Sequence, residues 1–250
     1  CWEARDVPRY YAEPNMPPAH TQTMRLLVST NRDWPELSRW YYGLCEPAIA
    51  SVTPEMRLKV AELTAGLTER EARLRAIFRF VSQEIRYLGL TVEQEAPGYE
   101  PHAVNLTFER RAGVCRDKAA LLVALLRLNG FEAYPVLIMN GPRKDAEVPQ
   151  PFFNHAIVAV RESGGYRLMD PTDENTRELF PAYLANQSYL VADPEGQPLR
   201  TSPVAPYAEH LVRVHTQASL DDALRLRATT TLDFGGINDN VYRGFFVRQT

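Results

Sequence analysis

One segment constrains the fold more than any other. From Arg116 to Asn129 the chain is rich in alanine and leucine and apolar on nearly all sides, and Gly130 supplies a helix stop. Its unbroken apolar run, Ala119 to Leu126, is far shorter than the roughly 20 residues that span a bilayer. The segment therefore predicts a helix buried in a protein core, with Cys115 at its N-terminus and no membrane span.

Strand-like segments follow this helix. They cover residues 133–139, 155–160 and 166–169, and turn-forming stretches with Asn140-Gly141-Pro142 and Gly164-Gly165 separate them. A central helix followed by such a meander predicts an α+β fold, in which the buried helix packs on an antiparallel sheet.

Upstream, helix signals precede the buried segment. Asp33 is a candidate N-cap for a helix that carries Leu37, Trp40, Tyr41 and Leu44 on one face, and Thr53-Pro54 starts a second helix that Gly66 stops. Thr68 and Glu71 fit a capping box, after which apolar residues recur at helical spacing from Leu74 to Ile85. We expect one buried stripe on this third helix.

The remaining stretches are less regular. Residues 24–29 are a short strand candidate, and residues 88–112 form a predicted long loop of the kind that often carries function. Beyond about residue 205 the pattern alternates as in a β-strand, and the chain stays strand-like towards its end.

We divide the chain into three parts. Residues 1–50 are interpreted as the end of a preceding β-rich domain with a linker helix, residues 51–205 as the core, and residues 206–250 as the start of a truncated β domain. Because the chain starts with Cys and stops soon after a strand-like stretch, we expect both ends to be boundaries within a longer protein.

Composition excludes several classes of function. With 28 basic and 31 acidic residues the net charge is −3, which gives no indication of nucleic-acid binding. Three cysteines are too few for a disulfide framework or a four-cysteine zinc site, although one bridge between Cys1 and Cys45 is possible. The histidines other than His155 lack ligand-like grouping, so no metal site is expected; they are His20, His102, His210 and His215.

Cys115, His155 and Asp170 are the candidate catalytic residues. Each has an ordinary structural interpretation: a small buried residue, a partly buried histidine and a turn residue before proline. If the last two strands pair through Gly164-Gly165, however, His155 and Asp170 come to the same end of a hairpin. A helix N-terminus stabilises a thiolate, and a thiol, an imidazole and a carboxylate together form the arrangement used in nucleophilic catalysis.

The motifs around these residues resemble the transglutaminase-like superfamily of papain-fold cysteine enzymes. The resemblance covers about residues 55–205 and rests on Gly113-Val114-Cys115-Arg116-Asp117, Asn154-His155-Ala156 and Asp170-Pro171-Thr172. The flanks resemble a bacterial subgroup in which this core follows a β-rich domain of unknown function. Val114 departs from the aspartate that many members of the subgroup have there, which makes the turn less polar and could alter substrate access.

The resemblance implies a role for each candidate. Cys115 would be the nucleophile, His155 the general base and then acid, and Asp170 the carboxylate that orients the imidazole. The Cys115 N–H would be one oxyanion donor. Tyr87 has a position similar to the second donor of the transglutaminases, although an aromatic residue that covers the core at the end of the third predicted helix is the simpler interpretation.

Four charged residues near the cysteine have other expected roles. Asp117 and Lys118 lie in the first turn of the buried helix, where we expect structural roles and specific ion-pair partners. Arg110 and Arg111 either engage an acidic substrate or form an ordinary solvated surface.

The sequence thus predicts a thiol acyl-transfer enzyme for peptide or amide bonds, either a cysteine protease or amidase or a transglutaminase, with a preference for hydrolysis. A peptide- or protein-binding module without chemistry is the alternative, and a purely structural connector is a weaker one. No cofactor is expected, and the expected partner is a peptide or protein substrate; oligomeric state is not indicated. The flanking β-rich domain favours the periplasm or cell envelope over the cytoplasm.

Overall fold

The computed structural model describes residues 3–17, 19–89 and 98–247. The helices are α1 (Ala19–Gln22), α2 (Trp34–Ile49), α3 (Pro54–Thr64), α4 (Arg70–Arg79), α5 (Val104–Arg110), α6 (Cys115–Leu128) and α7 (Ile237–Val247), and a π-helical turn (Phe80–Glu84) extends α4. The strands are β1 (Arg86–Tyr87), β2 (Ala112–Gly113), β3 (Ala133–Ile138), β4 (His155–Glu162), β5 (Gly165–Met169), β6 (Ser188–Val191), β7 (Arg200–Thr201), β8 (Val212–Leu220) and β9 (Leu226–Phe234).

Helix α6 is the centre of the core, as the sequence predicts. Every residue from Asp117 to Leu126 is buried, and the helix contacts β3 and β4 on one side and α2, α3, α4 and α5 on the others. Among the described residues, no helix combines the length and apolar character needed to cross a membrane.

The main sheet has five strands in the order β5-β4-β3-β6-β7, and all its neighbouring strands are antiparallel. Leu137 is paired with Ala156 and Val158 with Met169, so the three predicted strands form one meander. One face of the sheet packs against α6, and the other carries a smaller apolar cluster around Ile138 and Ile157. The predicted α+β class, with a buried helix on an antiparallel sheet, is confirmed.

Helix α2 packs onto this core through a buried face. The Asp33 carboxylate accepts a hydrogen bond from the Glu36 N–H at 2.7 Å, which is the predicted N-cap. Leu37 and Tyr41 are buried, and the Ser38 hydroxyl donates to the Val191 carbonyl at 2.6 Å. The helix is therefore attached to strand β6 as well as to α6.

Two predicted local structures are wrong. Thr68 does not cap a helix, because α4 begins at Arg70 and the Glu71 carboxylate binds Arg75 and Arg167 instead of reaching back to the backbone. Residues 24–29 form no strand, because their backbone has no partner strand among the described residues and the side chains of Met24 and Val28 are exposed. The buried stripe from Leu74 to Ile85 is confirmed.

The predicted loop at residues 88–112 contains regular structure. Residues 90–97 lie outside the described part, but α5 and β2 follow, so a continuous loop is wrong. Helix α5 is short and has no side-chain cap, which explains why the sequence pattern does not reveal it. Its stability comes from burial of Val104 and Phe108, the latter 6.0 Å from the ring of Phe80.

Beyond the core, β8 and β9 form a two-stranded antiparallel ribbon, which agrees with the predicted alternation. Leu224 lies in the connecting turn with a φ of 59°, outside either strand. The strand-like interpretation of the C-terminal stretch is wrong, because residues 237–247 form α7. Tyr242 of this helix stacks on Phe234 with ring centroids 4.1 Å apart, which is one contact that the local alternation does not reveal.

The burial of α6 gives a stability prediction. Leu122 is fully buried, so Leu122→Ala should lower the free energy of unfolding by about 2–5 kcal/mol through lost transfer free energy and the cavity left behind. Leu58→Ala, at an exposed position of α3, is the matched control and should change it by about 0.5 kcal/mol or less. Denaturant unfolding measures both; equal small effects would contradict the buried position of α6.

Candidate active site

The turn before Cys115 is held by the carboxylate of Asp117. One Asp117 oxygen accepts the Val114 N–H at 3.1 Å, and the other accepts the His102 N–H at 3.0 Å and lies 3.0 Å from His102 Nδ1. A Cβ on Gly113 would lie 2.7 Å from the Asp117 Cβ, so only glycine fits beside this carboxylate. The sequence's expectation of a partner for Asp117 is met by His102, and Cys115 is placed at the first residue of α6.

His155 and Asp170 meet at one end of the β4–β5 hairpin. His155 begins β4, Asp170 directly follows β5, and His155 Nε2 lies 2.8 Å from Asp170 Oδ2. Asp170 is fully buried, and its other oxygen accepts the Thr172 N–H and hydroxyl at 2.9 and 2.7 Å. The hairpin thus fixes the imidazole against a carboxylate that cannot turn away.

Tyr183 adds a donor that the sequence does not reveal. Its hydroxyl donates to Asp170 Oδ2 at 3.1 Å, so Oδ2 is shared between Tyr183 and His155. Tyr183 follows in the short 3-10 segment Ala182–Leu184, thirteen residues beyond Asp170, within no recognisable motif. Only the folded path of the chain brings it to the carboxylate.

Cys115 and His155 line the same cavity, and the imidazole is close enough to change the pKa of the thiol. Because Nε2 of His155 faces Asp170, Nδ1 is the ring nitrogen left to exchange a proton with the thiol. Burial alone would raise the pKa of Cys115, but the hydrogen bond and positive charge of His155, together with the backbone N–H groups of Ala156 and Arg116, lower it below the ordinary thiol value.

The pKa values of His155 and Asp170 shift in opposite directions, and both shifts favour the charged form of the side chain. Burial opposes the charged imidazole, yet hydrogen bonds to Asp170 and Cys115 raise the pKa of His155 well above its ordinary value. Burial likewise opposes ionisation of Asp170, but the hydrogen bond and positive charge of His155, together with the two hydrogen bonds from Thr172, outweigh it and lower the carboxyl pKa. This arrangement favours a thiolate–imidazolium pair supported by an ionised carboxylate.

Tyr87 lies beside the cysteine turn on strand β1, not at a helix end as the sequence suggested. β1 is parallel to β2 and pairs Tyr87 with Gly113, two residues before Cys115. The Tyr87 side chain is 37% exposed, so it does not simply cover the core. Burial of its hydroxyl raises the pKa of Tyr87, and the negative charges of Cys115 and Asp170 raise it further, which keeps the phenol protonated as a donor.

A cavity of about 390 Å³ opens beside Cys115 and His155. Its walls include Tyr41 from α2, Leu137 from β3, and Tyr99 and Phe153 from the connecting segments. Val114 is buried and lies outside the set of described residues that line this cavity.

The other charged candidates have structural contacts. Lys118 is buried and donates from Nζ to the carbonyls of Ser82, at 3.2 Å, and Ile85, so its partners are the backbone end of the π-helical turn and not an acidic side chain. Arg111 stacks over the rings of Phe108 and Phe80, 4.5 and 4.9 Å from their centroids, whereas Arg110 is exposed.

The other cysteines and the residue types that bind metal ions form no further reactive or metal-binding site in the described part of the chain. Cys45 is a buried free thiol, and Cys1 lies outside the described residues. Residues 3–17, 19–89 and 98–247 contain no group of three or more His, Cys, Asp or Glu side chains placed to hold a metal ion.

The buried ammonium of Lys118 gives a pH-dependent prediction. Burial lowers its pKa to about 8, although the nearby carboxylates of Glu174 and Asp170 oppose the shift. The folded protein then binds fewer protons at this site than the unfolded chain between pH ~8 and the ordinary lysine pKa of about 10.4. The site's contribution to the free energy of unfolding should therefore rise with pH across that window.

Denaturant unfolding at pH 7.5 and pH 10 checks this expectation. Relative to Lys118→Met, the wild-type protein should gain stability between the two values, and Lys59→Met, which removes a partly exposed lysine paired with Glu62, should leave the wild-type slope intact. If the free energy of unfolding changes with pH equally in wild type and Lys118→Met, the lowered pKa of Lys118 would be contradicted.

Comparison with known proteins gives a family match for the middle of the chain. A sequence model of the transglutaminase-like superfamily matches residues 58–171, a range that includes Cys115, His155 and Asp170. A comparison with curated proteins found no match.

Three solved structures are similar. A candidate protease from Parabacteroides distasonis has a TM-score of 0.51 and 12% identity, covering 68% of this chain and 32% of that chain. A candidate cysteine protease from Cytophaga hutchinsonii has a TM-score of 0.40 and 16% identity, with coverages of 78% and 56%. A TGase has a TM-score of 0.28 and 18% identity, with coverages of 64% and 37%. The chain thus spans less than two thirds of each of these proteins, and the first likeness supports the fold.

Proposed function

Because residues 58–171 belong to the transglutaminase-like superfamily, a family of thiol enzymes, we propose that this chain is a thiol acyl-transfer enzyme that hydrolyses peptide or amide bonds. One observation carries the proposal: His155 Nε2 lies 2.8 Å from Asp170 Oδ2, and the same imidazole lines one cavity with Cys115, where it lowers the pKa of the partly buried thiol. A buried cysteine with only a structural role has no such partner, and its pKa is raised, as that of Cys45 is, to about 12.

The first half-reaction acylates the cysteine. His155 takes the proton of Cys115, and the thiolate attacks the substrate carbonyl carbon, so that an S–C bond forms and the carbonyl electron pair moves to oxygen. When the tetrahedral intermediate collapses, the C–N bond breaks and the amine leaves with the proton from His155. Asp170 keeps the imidazole oriented and stabilises its positive form.

The second half-reaction releases the product. Water gives a proton to His155 and attacks the thioester carbonyl, after which the C–S bond breaks and Cys115 recovers its proton. An amine in place of water would give crosslinking. Water is the favoured nucleophile because Cys115 is only partly buried and borders an open cavity, so solvent reaches the thioester.

Two groups are suited to stabilise the oxyanion. The N–H of Cys115 is at the N-terminus of α6, where the helix dipole favours negative charge. The Tyr87 hydroxyl is the proposed second donor, since β1 holds Tyr87 beside Gly113 and its protonated phenol lies within electrostatic range of Cys115.

Peptide turnover tests the proposal directly. A mixed peptide library that includes glutamine peptides is incubated with wild type and Cys115→Ala, with and without methylamine, and analysed by mass spectrometry. We expect new peptide termini or glutamine deamidation that depend on Cys115. Products that survive in Cys115→Ala would rule out Cys115 as the nucleophile. No products in wild type, together with peptide capture that survives in Cys115→Ala, would favour a binding module. Methylamine incorporation without hydrolysis would show that the acyl-enzyme reacts with amines instead of water, and the proposed reaction would then be crosslinking.

Tyr87→Phe tests the oxyanion role. Loss of one oxyanion donor should lower kcat by about 10²–10³-fold, while alkylation of Cys115 by iodoacetamide should stay within about twofold because that reaction develops no oxyanion. Tyr183→Phe is a comparison variant, since its hydroxyl binds Asp170 and not the substrate. If Tyr87→Phe changes turnover and alkylation equally, Tyr87 acts on the thiol and not on the oxyanion.

A further inference from the structure

The cavity beside Cys115 has mainly apolar walls. Tyr41, Tyr99, Leu137 and Phe153 surround it, and among its described lining residues only Arg116 and His155 carry a basic side chain, with no acidic one. Ligand pockets of this kind bind apolar groups and use a few polar atoms for orientation. Its chemistry therefore differs from that of a polar groove that would accept any peptide backbone.

These walls are held rigidly in place. The exposed fractions of Tyr41, Leu137 and Phe153 are 1%, 1% and 6%, so their side chains are packed in the core. The Tyr99 hydroxyl donates to the Phe153 carbonyl at 2.9 Å and accepts the Phe153 N–H at 3.0 Å. Tyr99 also packs edge-on against Tyr41, with centroids 6.4 Å apart. A preformed pocket loses little entropy when an apolar side chain enters.

Helix α2 supplies part of the pocket from outside the superfamily match. Tyr41 forms a wall, and the neighbouring Trp40 is 45% exposed and packs edge-on against the wall residue Tyr99, with ring centroids 6.2 Å apart. An exposed tryptophan beside a buried aromatic wall extends the apolar surface outwards. The linker helix, which the sequence suggests is only a packing element, therefore contributes to the surface around Cys115.

We propose that this cavity is the specificity subsite of the enzyme and that it binds a large apolar side chain, aromatic or leucine-like, on the residue that supplies the attacked carbonyl. The inference rests on the proposed function, because it assigns the substrate class of that site. Cys115 is itself part of the cavity wall, and the acyl residue is the one that becomes bonded to Sγ. Its side chain is thus the part of the substrate nearest to Tyr41, Tyr99 and Phe153, whose edges suit an aromatic ring.

Active-site-directed alkylation measures this preference. N-acetyl chloromethyl ketones of Gly, Leu, Phe, Asp and Lys differ only in the acyl side chain, and each alkylates by forming the S–C bond at Cys115 as chloride leaves. Second-order rates at Cys115, resolved by mass spectrometry, should be at least about tenfold higher for Phe and Leu than for Gly. The Asp and Lys reagents should be no faster than Gly, because the pocket walls offer a charged group little compensation for lost water.

Tyr99 provides a matched pair of variants. Tyr99→Ala removes a pocket wall and should reduce the Phe-to-Gly rate ratio by at least about fivefold, whereas Tyr99→Phe keeps the ring, loses only the two hydrogen bonds to Phe153, and should reduce the ratio less than Tyr99→Ala does. The ratio is internal to each variant, so general changes in thiol reactivity cancel. If Tyr99→Ala does not fold, the wild-type rates for the five reagents still decide the outcome.

Equal rates for Gly and Phe, or a preference for the Asp reagent through Arg116, would overturn the subsite. Failure of the proposed function has a different signature: iodoacetamide would alkylate Cys115 no faster than the thiol of an unstructured peptide. The Phe-to-Gly ratio decides the subsite in that case as well, because an apolar pocket beside Cys115 concentrates the Phe reagent whether or not the thiol is activated.

Discussion

Burial of α6 from Asp117 to Leu126 is the constraint on which the rest of the structure depends. The N-terminus of such a helix carries N–H groups that have no partner within the helix, and the turn that leads into it must be held in one conformation. Asp117 does this by accepting the Val114 N–H and by binding His102 through main chain and side chain. The same contacts require glycine at position 113 and fix the turn, so the position of Cys115 is a consequence of capping a buried helix.

The opposite side of the site depends on a second buried interaction. Lys118, one turn into α6, binds the carbonyls of Ser82 and Ile85 where the π-helical turn ends. The chain then enters β1 beside β2, which brings Tyr87 next to the cysteine turn. One helix therefore positions the thiol at its N-terminus and also anchors the strand that carries the proposed oxyanion donor, while the β4–β5 hairpin supplies the imidazole and carboxylate.

The sequence predicts those features that local patterns encode. Helix α6, the meander of three strands and the approach of His155 to Asp170 follow from apolar runs and a glycine turn. Contacts between distant segments leave no such pattern: Tyr183 reaches Asp170 from an irregular stretch, and Tyr41 reaches the cavity from a helix whose apolar face indicates only packing. Short elements such as α5 are stabilised by tertiary burial, which overrides weak local propensity.

The central claim is that His155 activates the thiol of Cys115. The pH dependence of Cys115 alkylation by iodoacetamide, compared between wild type and His155→Ala, tests it most directly. The account predicts that wild-type Cys115 reacts well below the ordinary thiol pKa of about 8.5, and that in His155→Ala the midpoint moves above it, because burial persists without the imidazolium. Cys45, buried and without a basic partner, should stay unreactive in the fold. A wild-type Cys115 that titrates at or above the ordinary value, unchanged by His155→Ala, would contradict the account.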